Sequence, residues 1–276
     1  MASLAMFVDG AFSADGQYPL RADAKALQAL TVEQLRTGFQ VTESNPLTGL
    51  DGRVELLNRL GQALIEQPHV FGERGRVGGL LDHLLIQAHE QKGELAARQI
   101  LRAVLKCFGR VWPKGMVFND LCLGDVWPHP FAGGQGLSAG YVPFHKLSQW
   151  LTYSLVEPIE DCGISVTLLD ELTGLPEYRN GGLLIDTKVI IPTNERLLTE
   201  AIAVEDEAIV EWRALTVALL DEVAKKLRQS LNRDAKTLPL ARILQGGTWL
   251  AGRKIAAQKR SGGSSPIRLN SDGTVF

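Results

Sequence analysis

ILRAVLKCFG, residues 100–109, repeats its apolar side chains as a helix does. Ile100, Leu101, Val104, Leu105 and Phe108 fall on one face, and Gly109 is placed to end the segment. The same spacing recurs on the N-terminal side. Leu56, Leu57, Leu60, Ala63 and Leu64 form one stripe, which Pro68 stops, and Leu80, Leu81, Leu84, Leu85 and Ala88 form another. Thr31 and Gln34 make a capping box for a helix whose face holds Leu35 and Phe39. Helices also fit residues 144–156, 207–231 and 248–259. Strand character is confined to 164–169 and 183–191, which predicts one small β ribbon. Gly- and Ser-rich stretches at 73–79, 132–140 and 261–265 read as loops, and none is long enough to be a domain linker. The fold class is therefore mainly α, as a single helical domain over residues 1–276.

Composition narrows the function classes. The chain has 276 residues, 45% hydrophobic and 22% charged, which is the balance of a soluble globular protein. With 29 basic and 31 acidic residues, the net charge of −2 gives no footprint for nucleic acid. The apolar runs are too short for a membrane span, and MASLAMFVDG lacks the basic flank of a signal peptide. ASLAMF reads instead as a helix entered midway. Cys107, Cys122 and Cys162 are odd in number and scattered, so they form neither a disulfide framework nor a zinc spacing. They read as small buried hydrophobes in a reducing cytoplasm. His83 and His89 lie six positions apart, which does not put them on one helix face as a metal pair. No dinucleotide or phosphate-binding Gly turn and no nucleophile elbow occurs, so neither metal nor cofactor is expected.

The chemistry-bearing stretch is LTGLPEYRNGGLLID, residues 172–186. Glu177, Tyr178 and Arg179 put a carboxylate, a phenol and a guanidinium side by side. Pro176 before them and Asn180, Gly181 and Gly182 after them predict irregular backbone. A polar trio on a loop beside an apolar run fits a site, and equally an Arg–Glu pair closing a turn. Asp186 is a second candidate acid, or a turn acceptor at a strand end. In LGDVWPHP, residues 123–130, Asp125 and His129 flank Trp127, whose ring could stack on a planar ligand or simply be core. In VPFHKLSQWLTYSL, His145 and Lys146 occupy the first turn of a helix with an apolar stripe of Leu147, Leu151 and Leu155. A cation there opposes the helix dipole unless a carboxylate faces it. The plain alternative is an exposed lysine. Glu211 and Arg213 begin a strongly apolar helix as scaffold charges, one of which can reach inward. Gly246 and Gly247 precede Thr248, an N-cap candidate whose neighbouring amides could also hold a phosphate. The Asp272–Gly273 turn near the C-terminus would let Phe276 dock on the core.

These blocks, with GGTWLAGRKIAAQKR at 246–260 and SDGTVF at 271–276, occur in an order that resembles the uracil catabolism protein 4 family of fungi and bacteria. The resemblance runs from Ala2 to Phe276 and implies a place in a pathway that opens the pyrimidine ring and releases urea. Family members usually carry a long additional N-terminal portion, and the chain begins where that portion would end. Lys188 stands where the family commonly has Gly. A second resemblance is to the queuosine-salvage nucleoside glycosidases, built on a scaffold similar to DNA glycosylases. They share an aromatic-Lys helix start followed by an acidic-Tyr-Arg motif, and here Lys146 and Glu177 are 31 positions apart.

Together the two resemblances imply a hydrolase that cleaves the N-glycosidic bond of a ring-opened uracil nucleoside or nucleotide, giving sugar and urea. Glu177, Lys146 and Asp186 would be catalytic. Asp125, Trp127, His129, His145, Tyr178 and Arg179 would bind the small-molecule substrate. Such cleavage builds positive charge on the sugar, which a partly desolvated carboxylate kept ionised by a nearby cation stabilises. The alternatives are an amidohydrolase or lyase acting on another intermediate, and a non-catalytic partner of the ring-opening enzyme. Association with other enzymes of uracil catabolism is the protein partnership the resemblance implies.

Overall fold

The computed structural model describes residues 2–112, 115–119 and 121–270. The N-terminal half is helical: α1 (Ala2–Val8), α2 (Ala24–Ala29), α3 (Val32–Gly38), α4 (Leu50–Ile65), α5 (Pro68–Phe71), α6 (Gly79–Glu90) and α7 (Ala97–Phe108). Strand β1 (Glu94–Ala96) lies between the last two. Short strands then intervene, β2 (Met116–Phe118), β3 (Leu121–Gly124), β4 (Val126–Pro128) and β5 (Tyr141–Pro143), before α8 (Lys146–Asp161) and β6 (Ser165–Thr167). The C-terminal half holds α9 (Tyr178–Asp186), α10 (Arg196–Thr199), β7 (Ala201–Ala203), α11 (Glu207–Leu231), α12 (Leu240–Ile243), α13 (Trp249–Lys259) and β8 (Arg268–Asn270). The fold is mainly α. Among the described residues no helix is long and apolar enough to cross a membrane.

The periodic stripes become the first core. Leu64, Leu84, Ile100 and Val104 are almost fully buried together, and Ile159 of α8 and Val166 of β6 join them from the second half. Thr31 caps α3 with the expected reciprocal pair, its hydroxyl accepting from Gln34 N while the Gln34 side chain accepts from Thr31 N. Pro68 does not itself end α4, which stops at Ile65; it occupies the first turn of α5, where no amide hydrogen is needed. Helix α8 outruns its expected end at 156 and passes through Pro158, because Ile159 one residue on is buried in the core. Of the cysteines, Cys107 is core, whereas Cys162 is exposed at the end of α8 rather than buried.

The strands pair only in twos among the described residues. Strand β1 runs parallel to β6, with Glu94 opposite Ser165, and β7 runs parallel to β8. The antiparallel pairs are β2 with β3 and β4 with β5, the latter setting Val126 opposite Pro143. The expected ribbon of 164–169 with 183–191 is not formed. Residues 183–186 are the last turn of α9, and β6 takes β1 as its partner.

The glycines that suggested a turn are helical because they permit close approach. A Cβ on Gly181 would lie 2.7 Å from the Trp212 ring, and one on Gly182 would lie 3.0 Å from Pro266. Helix α13 uses Gly252 likewise, where a Cβ would meet the Arg179 carbonyl oxygen at 2.4 Å. Helix α9 ends through Lys188, which holds a left-handed φ of 60° while its amide donates to Ile185 O at 2.9 Å. The Asp272–Gly273 turn and Phe276 lie outside the described residues.

The left-handed conformation of Lys188 costs about 1–2 kcal/mol for a residue with a Cβ. Glycine would remove that cost but lose about 0.4–1 kcal/mol through its freer unfolded chain. Lys188→Gly is therefore expected to stabilise the fold by about 0.5–1 kcal/mol, read as a raised urea midpoint with an unchanged slope.

Candidate active site

The site begins at a buried carboxylate. Asp125, between β3 and β4, accepts two hydrogen bonds from Arg213 of α11, at 2.8 and 2.7 Å. It also accepts from the Trp127 indole N–H at 2.7 Å and from the backbone N–H of Lys146 at 3.0 Å. The Asp125 carbonyl takes the amides of Phe144 and His145, and the Arg213 guanidinium lies 4.0 Å from the centre of the Phe144 ring. Burial pushes the Asp125 carboxyl up, but the bonds and charge of Arg213, the Lys146 amide and the Trp127 indole outweigh it and hold it below its ordinary value. Asp125 thus stands in for the cap that α8 lacks, since His145 makes no side-chain cap bond and sits in left-handed backbone at φ 46°.

Lys146 is consequently buried rather than exposed. Burial and nearby Arg213 lower its ammonium to about 8, while Asp125 and Glu177 pull the other way. His145 is also held below its usual value by burial, against the opposing charge of Asp125. Glu177 is buried and caps α9, its two oxygens accepting from Arg179 N at 2.7 Å and Asn180 N at 2.6 Å. Burial raises its carboxyl above the ordinary value, although those amides, Lys146 and Arg179 all favour the ionised form.

Glu177 and Asn180 line a cavity of about 480 Å³. One wall is Trp150, Tyr153, Ser154 and Glu157, successive positions on one face of α8. The opposite wall is Ala241, Leu244, Gln245 and Trp249. Residues 244–248 between α12 and α13 form a π-helical turn. Ala241, Leu244, Gln245 and Trp249 are spaced i, i+3, i+4 and i+8, one side of a helix, and the π turn lies within that run. Thr248 is therefore not an N-cap and Gly246 and Gly247 lie within the turn; the Thr248 hydroxyl is buried without a hydrogen-bond partner. The Tyr153 hydroxyl donates to Thr173 O at 3.0 Å, and burial pushes its pKa up.

The sequence candidates divide accordingly. Glu177 lines the cavity, and Lys146 lies close enough for each to shift the other's titration. Asp125 and His145 stand behind them at the start of α8. Trp127 is core, packed with Phe144, Val204 and Val210. His129 accepts from Phe131 N at 3.2 Å outside the cavity. Tyr178 is exposed beside the Arg179 guanidinium, which donates to Gly263 O at 2.5 Å, and neither lines the cavity. Asp186, at the far end of α9, forms a two-point pair with Arg260 at 2.7 and 2.5 Å. Trp150, Tyr153, Asn180, Gln245 and Trp249 were not among the sequence candidates. The signals that could have found them are helical spacings, 150–153–154–157 on α8 and 241–245–249 across α12 and α13, but only the apolar stripe of α8 entered the sequence expectations.

A larger cleft, about 600 Å³, lies on the N-terminal half around Arg21, Asp23, Arg74 and Arg76. Its charges are largely engaged: Arg74 with Asp15 at 3.0 Å, Arg76 with Asp82 at 2.8 Å, and Asp23 as the cap of α2. Two groups with shifted pKa, Tyr153 and Glu177, line the other cavity. Among the described residues no three His, Cys, Asp or Glu side chains are grouped to hold a metal ion.

A helical protein with a carboxylate-floored, tryptophan-walled cavity is the class these features define. Residues 1–276 match the family described as "Protein of unknown function (DUF1688)", and the chain belongs to it. It is similar to uracil catabolism protein 4 of Lachancea kluyveri, 38% identical over 301 residues that cover 100% of this chain and 68% of that one. It is also similar to protein urg3 of Schizosaccharomyces pombe, 39% identical over 282 residues, covering 100% and 66% respectively. The chain thus spans about two thirds of the length of these relatives.

Asp125 tests the foundation of this arrangement. Its pKa is lowered on folding, so its stabilisation is present above the ordinary carboxylate value and lost as pH falls through the lowered one. Asp125→Asn leaves Arg213 charged and buried, which is expected to cost about 3–5 kcal/mol at pH 7. Urea unfolding between pH 3 and 7 should show that loss, together with a shallower dependence on pH at the acid end than the parent protein.

Proposed function

We propose that the protein acts in uracil catabolism as a hydrolase, cleaving the N-glycosidic bond of a ring-opened uracil nucleoside or nucleotide to sugar and urea. The role in uracil catabolism is supported by the relative of that name. The chemistry is supported by one observation above all: Glu177, buried and fixed by two amides, lines a cavity between two tryptophans. The amides use one lone pair on each oxygen, and a carboxylate has more to offer a ligand. A planar ureido group can lie against Trp150, since flat polar groups stack well on indole faces; the Trp249 ring already carries the Arg253 guanidinium, 5.0 Å from its centre.

In this mechanism the bond from the sugar carbon to nitrogen lengthens as water approaches from the opposite face. Positive charge gathers on the sugar, and the Glu177 carboxylate stabilises it and takes the proton from water. The departing nitrogen gains a proton from solvent and leaves as urea. Lys146 touches none of these atoms; its ammonium keeps Glu177 ionised despite burial. A non-catalytic role beside the ring-opening enzyme is the second reading, favoured by the exposed Phe131 and Leu137 on one loop.

Urea release from synthetic ribosylurea and its phosphate distinguishes the two. Glu177→Gln keeps the side-chain shape but removes the charge, so turnover should fall by a factor on the order of 10²–10³ or more with folding largely kept. The rate should fall on the acid side as Glu177 protonates, above the ordinary Glu range. Lys146→Met should move that acid limb to higher pH, because the ammonium that favours the ionised carboxylate is gone. Near-parental turnover by Glu177→Gln would return Glu177 to a purely capping role.

A further inference from the structure

Asn180 is 1% exposed and forms part of the cavity wall. Its amide nitrogen donates to Leu175 O at 3.1 Å, which fixes which end of the amide is oxygen, because the reverse would set two oxygens together. The oxygen so fixed, Oδ1, is buried and accepts no hydrogen bond. A carbonyl left in that state is destabilising unless something completes it. Its backbone neighbour is already used, since Asn180 N caps against Glu177. A donor for Oδ1 therefore has to come from outside the chain, as a water or as a ligand that displaces it.

The rest of the lining points to the same ligand chemistry. Glu157 and Glu177 are its charged members, no Lys, Arg or His is among the described lining residues, and Arg253 is stacked on the Trp249 indole, 5.0 Å from the ring centre. Phosphate recognition relies on Arg, Lys or a row of free amides, and the amides at the head of α9 are taken by Glu177. Acceptors below and indole faces at the sides suit a flat, neutral group rich in N–H.

We propose that Asn180 Oδ1 accepts a hydrogen bond from the terminal N–H of a ureido group, and that the cavity takes the uncharged nucleoside rather than its phosphate. This rests on the hydrolase reading for the identity of the sugar and on the cavity alone for the ureido group. Asn180 is here a specificity-determining residue.

Two stable ligands isolate the contact. N-cyclopentylurea carries the terminal NH₂; methyl N-cyclopentylcarbamate has the same flat outline with a methoxy group in its place, and neither has a cleavable glycosidic bond. By calorimetry the parent protein should bind the urea at least about 10-fold more tightly, the cost of one buried acceptor left unpaired. Asn180→Leu, of similar volume, should bind both to within about 3-fold. Where that variant fails to fold by circular dichroism, the Asn180 side-chain amide resonance of the parent protein decides, shifting with the urea and not with the carbamate. In turnover, ribosylurea should exceed its 5′-phosphate by about 10-fold or more in kcat/KM, by the charge argument. Equal binding of urea and carbamate by the parent, or discrimination retained in Asn180→Leu, overturns the Asn180 assignment. Equal or better use of the phosphate overturns the neutral-ligand part. Discrimination between the ligands without any urea release keeps Asn180 as the reader of the ureido group and removes the hydrolase reading instead.

Discussion

The buried pair of Asp125 and Arg213 is the constraint on which the rest of the site depends. Taking two charges out of water costs several kcal/mol each, and their attraction offsets this only when the geometry is good and the remaining bonding capacity is filled. On the carboxylate it is filled: two guanidinium bonds, an indole N–H and a backbone N–H all reach Asp125. Each donor comes from a different place, namely α11, β4 and the first residue of α8. The pair therefore holds where α8 begins. Once that point and the helix pitch are fixed, Trp150, Tyr153, Ser154 and Glu157 must face one way.

Helix α11 performs a second anchoring with the adjacent residue. Trp212 and Arg213 project about 100° apart around the helix. Arg213 holds the start of α8, while the Trp212 indole donates to Gly181 O at 3.2 Å and packs where a Cβ on Gly181 would be. One turn of α11 thus sets the N-termini of α8 and α9 relative to each other, and those termini carry Lys146 and Glu177. The mutual influence of these two groups on their titration is a consequence of that spacing. Neither would be stable in its place alone. A buried ammonium at a helix N-terminus is opposed by the dipole, and a buried carboxylate is opposed by desolvation.

Helical periodicity made most of the fold legible, because core faces repeat: the stripes at 56–64, 80–88 and 100–108 are buried as their spacing requires. What failed was the meaning of small residues. Gly181 and Gly182 after a proline look like a turn, yet their freedom is spent on contact with Trp212 and Pro266, a fact that depends on residues some thirty and eighty positions away. Apolar residues 183–185 then look like a strand only because their helix was missed. The candidate site divides along the same line. Lys146 stood out through local conflict, a cation at the wrong helix end, whereas Glu177 stood out within a polar trio expected on a loop and is instead the cap of helix α9. Arg213 was legible as an inward candidate but not its partner, since Asp125 lies 88 positions away.

Trp249 shows the limit most clearly, and also why such limits cluster at sites. Inserting a π turn weakens the regular hydrogen-bond ladder and leaves the Thr248 hydroxyl buried without a partner. Both are unfavourable, the second by about 1–3 kcal/mol. An α-helical continuation would avoid both, but it would bring residue 248 to the centre of the face shared by Ala241, Leu244 and Gln245 and leave Trp249 at its edge. The arrangement is locally disfavoured and gives the pocket its second aromatic face. Departures from regular structure of this kind are frequent at functional sites, and here the departure adjoins a lining that also holds Trp150, the buried carboxylate of Glu177 and Asn180.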